Sequence, residues 1–297
     1  MSLKDLIRRI TPTILLELNR KRKKKNVNQA LDVQKTKGEI LTKIDLINNL
    51  KSIGIVKGDT LLVHSSLSKI GYLQNGPSTF INALLEVIGE KGNLLMPTSP
   101  NNVYQLNYIQ NTPFFDVLNS PSKLGVITEC FRTMKDVKRS LNATEPVSAY
   151  GPLAEYFTAE HFNQLTPYSS KSPFYKVGKQ KGKILYVGVT LDNAGTSLHT
   201  LEDAVDFKYP VYYPNIFDFK VIDDKGVVHN TKTKVHNPEW SKKRKCDELI
   251  PLFESENVLQ KVKIGKANTL LVDAEGFFNT MVTFYKSKGI TMYTPKG

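Results

Sequence analysis

Apolar positions recur at helical spacing in four windows of the chain. In "TKIDLINNLKSIGI" (42–55) the stripe Ile44, Leu46, Ile47 and Leu50 predicts a helix capped by Thr42 and stopped by Gly54. "STFINALLEVIGEKG" (78–92) predicts a second, capped by Ser78 and ended by Gly89, and "DAEGFFNTMVTFYKSKG" (273–289) a third, capped by Asp273. "TSLHTLED" (196–203) opens the fourth, with Thr196 or Ser197 as cap and Leu198, Leu201, Val205 and Phe207 on its apolar side. Between them lie short apolar runs that read as buried strands: "TLLVHSS" (60–66), "NLLMPT" (93–98) and "GKILYVGVT" (182–190). "FDFKVIDDKGVVHNTKTKV" (217–235) alternates and reads as a hairpin turning at Asp224-Lys225-Gly226. Strand–helix–strand order predicts a mixed α/β (α+β) fold, a central sheet covered by helices. Residues 26–38 are polar and read as a linker, which divides the chain into a segment 1–38 and one domain, 39–297.

The chain's 297 residues, 40% hydrophobic, suffice for a large core without covalent staples. Cys130 and Cys246 are its only cysteines, so a disulfide framework is excluded and a reducing, cytoplasmic setting is expected. No apolar run reaches the ~20 residues of a spanning helix, and the N-terminus lacks a signal peptide's apolar core. The net charge of +13 suggests nucleic acid until it is located: residues 1–25 hold nine Lys or Arg against two acids, +7 of the total. Leu3, Leu6, Ile7, Ile10, Ile14, Leu15 and Leu18 precede or interleave with that cluster, although Pro12 interrupts the run. Apolar residues followed by cations suit an anionic membrane surface better than DNA, with a solvated tail as the competing reading. A non-catalytic basic binding protein follows as one reading of the whole chain.

Two places carry candidate chemistry. His199 and Glu202 stand three apart on the predicted helix and can share a face as base and orienting carboxylate, although His-x-x-Glu alone says little. His64-Ser65-Ser66 follow a strand directly, where backbone N–H groups and hydroxyls can cradle a phosphate. A Ser65- or Ser66-based hydrolase with His199 as base is the alternative, but neither serine sits in a Gly-x-Ser-x-Gly elbow. His-Glu-x-x-His is absent and the five histidines are scattered along the chain, so no metal is expected. No Walker A or Rossmann glycine pattern is present.

In order along the chain stand "VHSSLSKIG", "LLMPTSP", "SPSKLGVITECFR" with "VKRS" after it, "ILYVGVTLDNAGTSLHTLED" and "KIGKANTLLV". Together they resemble the aminoglycoside 3-N-acetyltransferase family over roughly residues 40–290. The resemblance implies a fold distinct from the GNAT acetyltransferases, acetyl-CoA as cosubstrate and an amino sugar as acceptor. It implies His199 and Glu202 as the catalytic pair, with Thr196 beside the acceptor. It also implies His64, Ser65, Ser66, Leu67, Ser68 and Gly71 at the cofactor, with Met96, Pro97 and Thr98 lining the same cleft and Ser122, Arg139 and Ser140 nearby. The sequence departs from the family where a His-Pro pair and a second histidine often follow the Arg-Ser: here it reads Asn142-Ala143-Thr144-Glu145-Pro146. That departure touches the acceptor more than the reaction.

A sugar ammonium must lose a proton before it attacks a thioester, and a histidine held by a carboxylate is the natural group to take it. Attack on the acetyl carbonyl is then direct, with no acyl-enzyme; Thr196 or backbone N–H groups are candidate oxyanion donors. Outside the basic tail the chain remains net positive and shows no dense acidic run. That balance favours a phosphate-bearing acceptor, a nucleotide-linked amino sugar of surface-glycan assembly, over a polycationic aminoglycoside. A second copy of the chain is a candidate partner; nucleic acid is not expected.

Overall fold

The computed structural model describes residues 13–297. Leu3, Leu6, Ile7 and Ile10 of the expected membrane-surface element lie outside the described residues. Helix α1, Thr13–Thr36, corrects the expected linker: most of residues 26–38 is helical, and only Lys37 and Gly38 turn. Asn26–Thr36 contains neither Pro nor Gly, so nothing in it stops a helix once tertiary contacts hold its end. Those contacts exist: the Tyr72 backbone N–H donates to Gln34 Oε1 at 3.0 Å, and the Lys35 ammonium lies 5.7 Å over the Tyr72 ring. Among the described residues no helix is long and apolar enough to cross a membrane.

Helix α2, Lys43–Ser52, has the expected cap, a reciprocal one: Thr42 Oγ1 accepts from the Asp45 N–H while Asp45 Oδ2 accepts from the Thr42 N–H. Its buried stripe is Leu46, Ile47 and Leu50, whereas Ile44 faces solvent. Helix α3, Pro77–Ile88, begins on Pro77 after Gly76, correcting Ser78 as cap; the Ser78 hydroxyl donates back to Asn75 O instead. Helices α4 (Val126–Arg132), α5 (Pro173–Lys179), α6 (Thr200–Ala204) and α7 (Ala274–Lys288) follow. Asp273 caps α7 through the N–H groups of Glu275 and Gly276.

Seven strands form the main sheet: β1 (Thr60–Ser65), β2 (Asn93–Pro97), β3 (Lys138–Arg139), β4 (Val147–Tyr150), β5 (Lys183–Val187), β6 (Leu259–Ile264) and β7 (Ala267–Asp273). Their order is β6-β7-β5-β1-β2-β4-β3. The central three, β5, β1 and β2, run parallel, and the flanking pairs are antiparallel. The predicted hairpin forms as Phe217–Ile222 and Val228–Thr233, with Gly226 at φ +78° in its turn, and pairs with Phe114–Asp116 in a separate three-stranded sheet.

Strand alternation sends successive side chains to opposite faces, and both faces are covered. Leu61, Val63, Leu94, Met96, Leu185 and Val187 meet Leu50 of α2, Phe80 and Leu84 of α3 and Phe131 of α4. Leu62, Leu95, Ile184 and Tyr186 meet Phe174 and Val177 of α5, Leu201 of α6, and Phe277 and Met281 of α7. Truncating one of these fully buried side chains, as in Leu62→Ala, costs about 2–5 kcal/mol. With parallel β5, β1 and β2 at the centre, Val187, Ser65 and Pro97 end the three strands on one edge, the carboxyl edge where open α/β sheets bind ligands.

Candidate active site

The chain leaving β5 turns at Gly188, φ +67°, where an added Cβ would come within 2.4 Å of Lys69 Cβ. Only glycine lets this turn lie against the one after β1. The expected helix from Thr196 is shorter than predicted. Thr196–His199 is a 3₁₀ turn without a side-chain cap, α6 follows, and Val205 and Phe207 lie beyond it. The reason is packing: Leu198 and Leu201 are both anchored in the core across the change of helix type.

The pair the spacing predicted is formed. His199 Nδ1 lies 2.8 Å from Glu202 Oε1. His236 Nε2 lies 2.7 Å from Oε2 of the same carboxylate, and the Tyr293 hydroxyl donates to Oε1 at 2.6 Å. All three residues of the His–Glu–His group are buried. This corrects the reading of the histidines as scattered: the His199 and His236 rings are 4.4 Å apart, centroid to centroid. Tyr168 lies against both rings, 4.9 and 5.4 Å away, and Tyr212 stacks flat on His236 at 5.0 Å. The imidazoles therefore cannot rotate freely.

The protonation pattern follows from the donors. Burial alone would raise the Glu202 carboxyl, but the two histidines and their hydrogen bonds hold it well below its usual range. An ionised carboxylate only accepts, so His199 Nδ1 and His236 Nε2 must both carry protons. His199 Nε2 hydrogen-bonds no protein atom among the described residues. Burial pushes His199 below the ordinary histidine value, so the resting ring is neutral with its lone pair on Nε2. Three ligand-type atoms within 4.8 Å could be read as a metal group, but the two short N···O contacts account for their proximity by hydrogen bonding.

Around this group the acids outnumber the cations. Asp203 accepts from Thr166 and Tyr212 hydroxyls. Gln105 Nε2 donates to Glu145 Oε1 at 2.9 Å and reaches the Tyr168 hydroxyl at 3.3 Å, while its carbonyl accepts from the His236 backbone N–H. Asn142 Oδ1 accepts the N–H groups of Thr144 and Glu145, so the segment that departs from the family pattern is the one that delivers Glu145. Burial pushes the Glu145 carboxyl up to about 7. Arg244, beside them, has buried Nε and Nη2 atoms without hydrogen-bond partners among the described residues. Sequence reading missed Tyr168, His236, Arg244 and Tyr293, which no shared motif or spacing links.

The residues expected at the cofactor divide. His64 stacks on Tyr186 at 4.8 Å, and its Nε2 and the Ser65 Oγ are buried without hydrogen-bond partners at the end of β1. Ser66 Oγ is 3.4 Å from Ser68 Oγ, and its N–H is occupied by Val187 O. Among the described residues no hydrogen bond joins Ser65 or Ser66 to His199, so the serine-hydrolase arrangement is not formed. Leu67 is partly buried against the core, and Gly71, φ +114°, is a turn whose Cβ would crowd Leu41. Met96 points into the core, not a cleft, as strand alternation requires. Pro97 ends β2, and the Thr98 hydroxyl is occupied by Ser148 and Arg139. Arg139 donates to Thr98, Val117 and Ser120 carbonyls. Ser140 Oγ lies 2.9 Å from His161 Nδ1 and accepts from the Val147 N–H. Ser122 Oγ pairs with Thr128 Oγ1 at 2.8 Å. Thr196 Oγ1 reaches Ala194 O only at 3.5 Å.

The sequence model of the aminoglycoside 3-N-acetyltransferase family matches residues 62–286, three quarters of the chain. The chain belongs to the aminoglycoside 3-N-acetyltransferase family. Members of this family are acyltransferases, and the chain is one: an acetyl-CoA-dependent N-acetyltransferase. Aminoglycoside N(3)-acetyltransferase IV of Salmonella sp. is 34% identical over 171 residues, covering 57% of this chain and 61% of that relative. The SPbeta prophage-derived aminoglycoside N(3')-acetyltransferase-like protein YokD of Bacillus subtilis (strain 168) is 27% identical over 77% of this chain and 87% of its own. The solved structure of AAC-IIIb with CoASH bound superposes with a TM-score of 0.70 at 25% identity, covering 84% of this chain and 97% of that one. The family and the mixed α/β fold are those expected from the sequence.

Proposed function

We propose that this family member acetylates an amino group of an aminoglycoside, with His199 as the base. The observation that carries the reading is the clamp of Glu202 on His199 Nδ1, which leaves Nε2 as the one free nitrogen of a neutral ring. Nε2 takes a proton from the acceptor amine as nitrogen attacks the acetyl carbonyl of acetyl-CoA. The C–N bond forms, the C–S bond breaks, and the imidazolium returns its proton to the departing thiolate. Glu202 stabilises that imidazolium, and His236 and Tyr293 keep the carboxylate in place. The ends of β1 and β5, with the unpartnered His64 Nε2 and Ser65 Oγ, are the place for the cosubstrate's pantetheine, and Thr196 stands near the acceptor.

The expectation of a nucleotide-linked acceptor rests on the net positive charge outside the basic tail and the lack of a dense acidic run. Locally, Glu202 holds the base, Asp203 holds the Tyr212 that stacks on His236, and Glu145 is held by the Gln105 that reaches Tyr168, while Arg244 is the half-buried cation near them. That field suits a polycationic amine, and tyrosine faces suit its sugar rings. The relatives described above are named for aminoglycosides, which supports the same choice. Thiol release from acetyl-CoA, measured with aminoglycosides and with nucleotide-linked amino sugars, tests it. Turnover with aminoglycosides is expected; turnover confined to the nucleotide-linked sugars would return the acceptor to the glycan reading.

A further inference from the structure

Helix α1 carries a run of charge that nothing in the acyl-transfer chemistry uses. It spans Thr13–Thr36, ahead of the residues 62–286 that the family model matches. Residues 20–25 read Arg-Lys-Arg-Lys-Lys-Lys, and Glu17 is the only acid between Thr13 and Leu31. Six consecutive positions pass through about one and two-thirds helical turns, so the cations ring the helix whichever side meets the protein. Arg22 and Lys25 are exposed. Arg20 stands three and four residues before Lys23 and Lys24, Lys21 before Lys24 and Lys25, and Arg22 three before Lys25, spacings at which like charges oppose a helix. The other end of the helix is secured. Gln34 Oε1 accepts the Tyr72 N–H at 3.0 Å, and the Lys35 ammonium lies over the Tyr72 ring. About 14 Å of helix separates Gln34 from Lys25.

We propose that helix α1 docks the enzyme on an anionic lipid surface, its apolar first turns entering the acyl boundary and its cations meeting the headgroup phosphates. Ile14, Leu15, Leu16 and Leu18 directly precede the basic run in the same helix. That is the order an interfacial element needs, apolar residues for the acyl chains and cations for the phosphates. An anionic surface also neutralises the repulsion along the run, so helix and surface stabilise each other. Nucleic acid offers phosphates but has no use for the four apolar residues, and no aromatic residue precedes Tyr72 to stack on a base. The anchor at Tyr72 ties the docked helix to the chain just after β1, at the carboxyl edge of the sheet. Docking of this kind is independent of which amine accepts the acetyl group.

The test is sedimentation of the full chain with vesicles of equal parts phosphatidylglycerol and phosphatidylcholine, and with vesicles of phosphatidylcholine alone. Binding is expected to the first and not to the second. Lys23→Gln/Lys24→Gln/Lys25→Gln should weaken it on the order of a hundredfold, about fivefold for each cation removed. Leu15→Ser/Leu18→Ser should weaken vesicle binding by at least about tenfold, the worth of one buried leucine, and leave retention on heparin unchanged. An unaltered melting temperature checks that each variant is folded. Failure of the unaltered protein to bind the anionic vesicles, or full binding by both variants, would overturn the proposal. Binding that needs the lysines but not the leucines would overturn it as well, leaving charge attraction alone. So would tighter binding to duplex DNA than to the anionic vesicles.

Discussion

His161 and His199 are alike in burial and unlike in everything that matters for chemistry. Both rings are shielded from water, and burial pushes both down to about 3. His161 lies between Ser140 Oγ at 2.9 Å and the Pro167 carbonyl at 3.0 Å, so both its nitrogens are occupied by partners that never titrate near neutrality. His199 has one nitrogen on a carboxylate and the other free. A depressed histidine is therefore no mark of a base by itself; a carboxylate on one nitrogen and an open lone pair on the other is.

The contrast can be broken most severely at the base. His199→Ala should lower kcat/KM by about 10²–10⁴-fold in thiol-release kinetics, the range of a lost general base; it also takes a donor from the buried Glu202 carboxylate and costs about 1–3 kcal/mol of stability, so the comparison with Glu202→Gln is made on folded protein. Glu202→Gln, which removes the charge but keeps the shape, should fall in the lower part of the same range and hit kcat more than KM for acetyl-CoA. His161→Ala should do the reverse. It leaves Ser140 Oγ and the Pro167 carbonyl without their partner, costs about 1–3 kcal/mol in chemical denaturation, and changes kcat by less than about twofold. Glu145→Gln sharpens the acceptor side: KM for a polycationic aminoglycoside should rise about tenfold, one charge contact's worth, with kcat little altered.

Acid stability tests the buried histidines outside the catalytic group. His64 and His161 have folded values of about 3 and an ordinary value of 6.5, so the unfolded chain binds their protons first. Stability is lost as pH falls below 6.5, about 1.4 kcal/mol per pH unit for each. Glu145, raised to about 7 when folded, is protonated first in the native state and offsets one histidine between pH 7 and 4.5. Denaturant titrations should show a shallow decline to pH 4.5 and a steeper one below.

What could be read from the chain alone was what depends on local order. The apolar runs 60–65, 93–97 and 183–187 became the three central strands, and His199 met Glu202 because three residues make nearly one turn in either helix type. The 26–36 end of helix α1 was read as linker because its polar residues carry no apolar stripe, and it is fixed by Tyr72, far along the chain. Tyr168, His236, Arg244 and Tyr293 arrive at Glu202 from four separate segments, so no spacing could bring them together on paper. Met96, Thr98, Arg139 and Ser140 lie in recognisable motifs, yet their side chains serve the core and its buried hydrogen bonds.

The central claim is that His199 presents an unprotonated Nε2 while Nδ1–H is held by Glu202. ¹⁵N NMR of the histidine side chains at neutral pH reads this directly, with His199→Gln assigning the resonance. The account predicts a neutral His199 ring protonated on Nδ1. A ring protonated on Nε2, or an imidazolium at neutral pH, would contradict it.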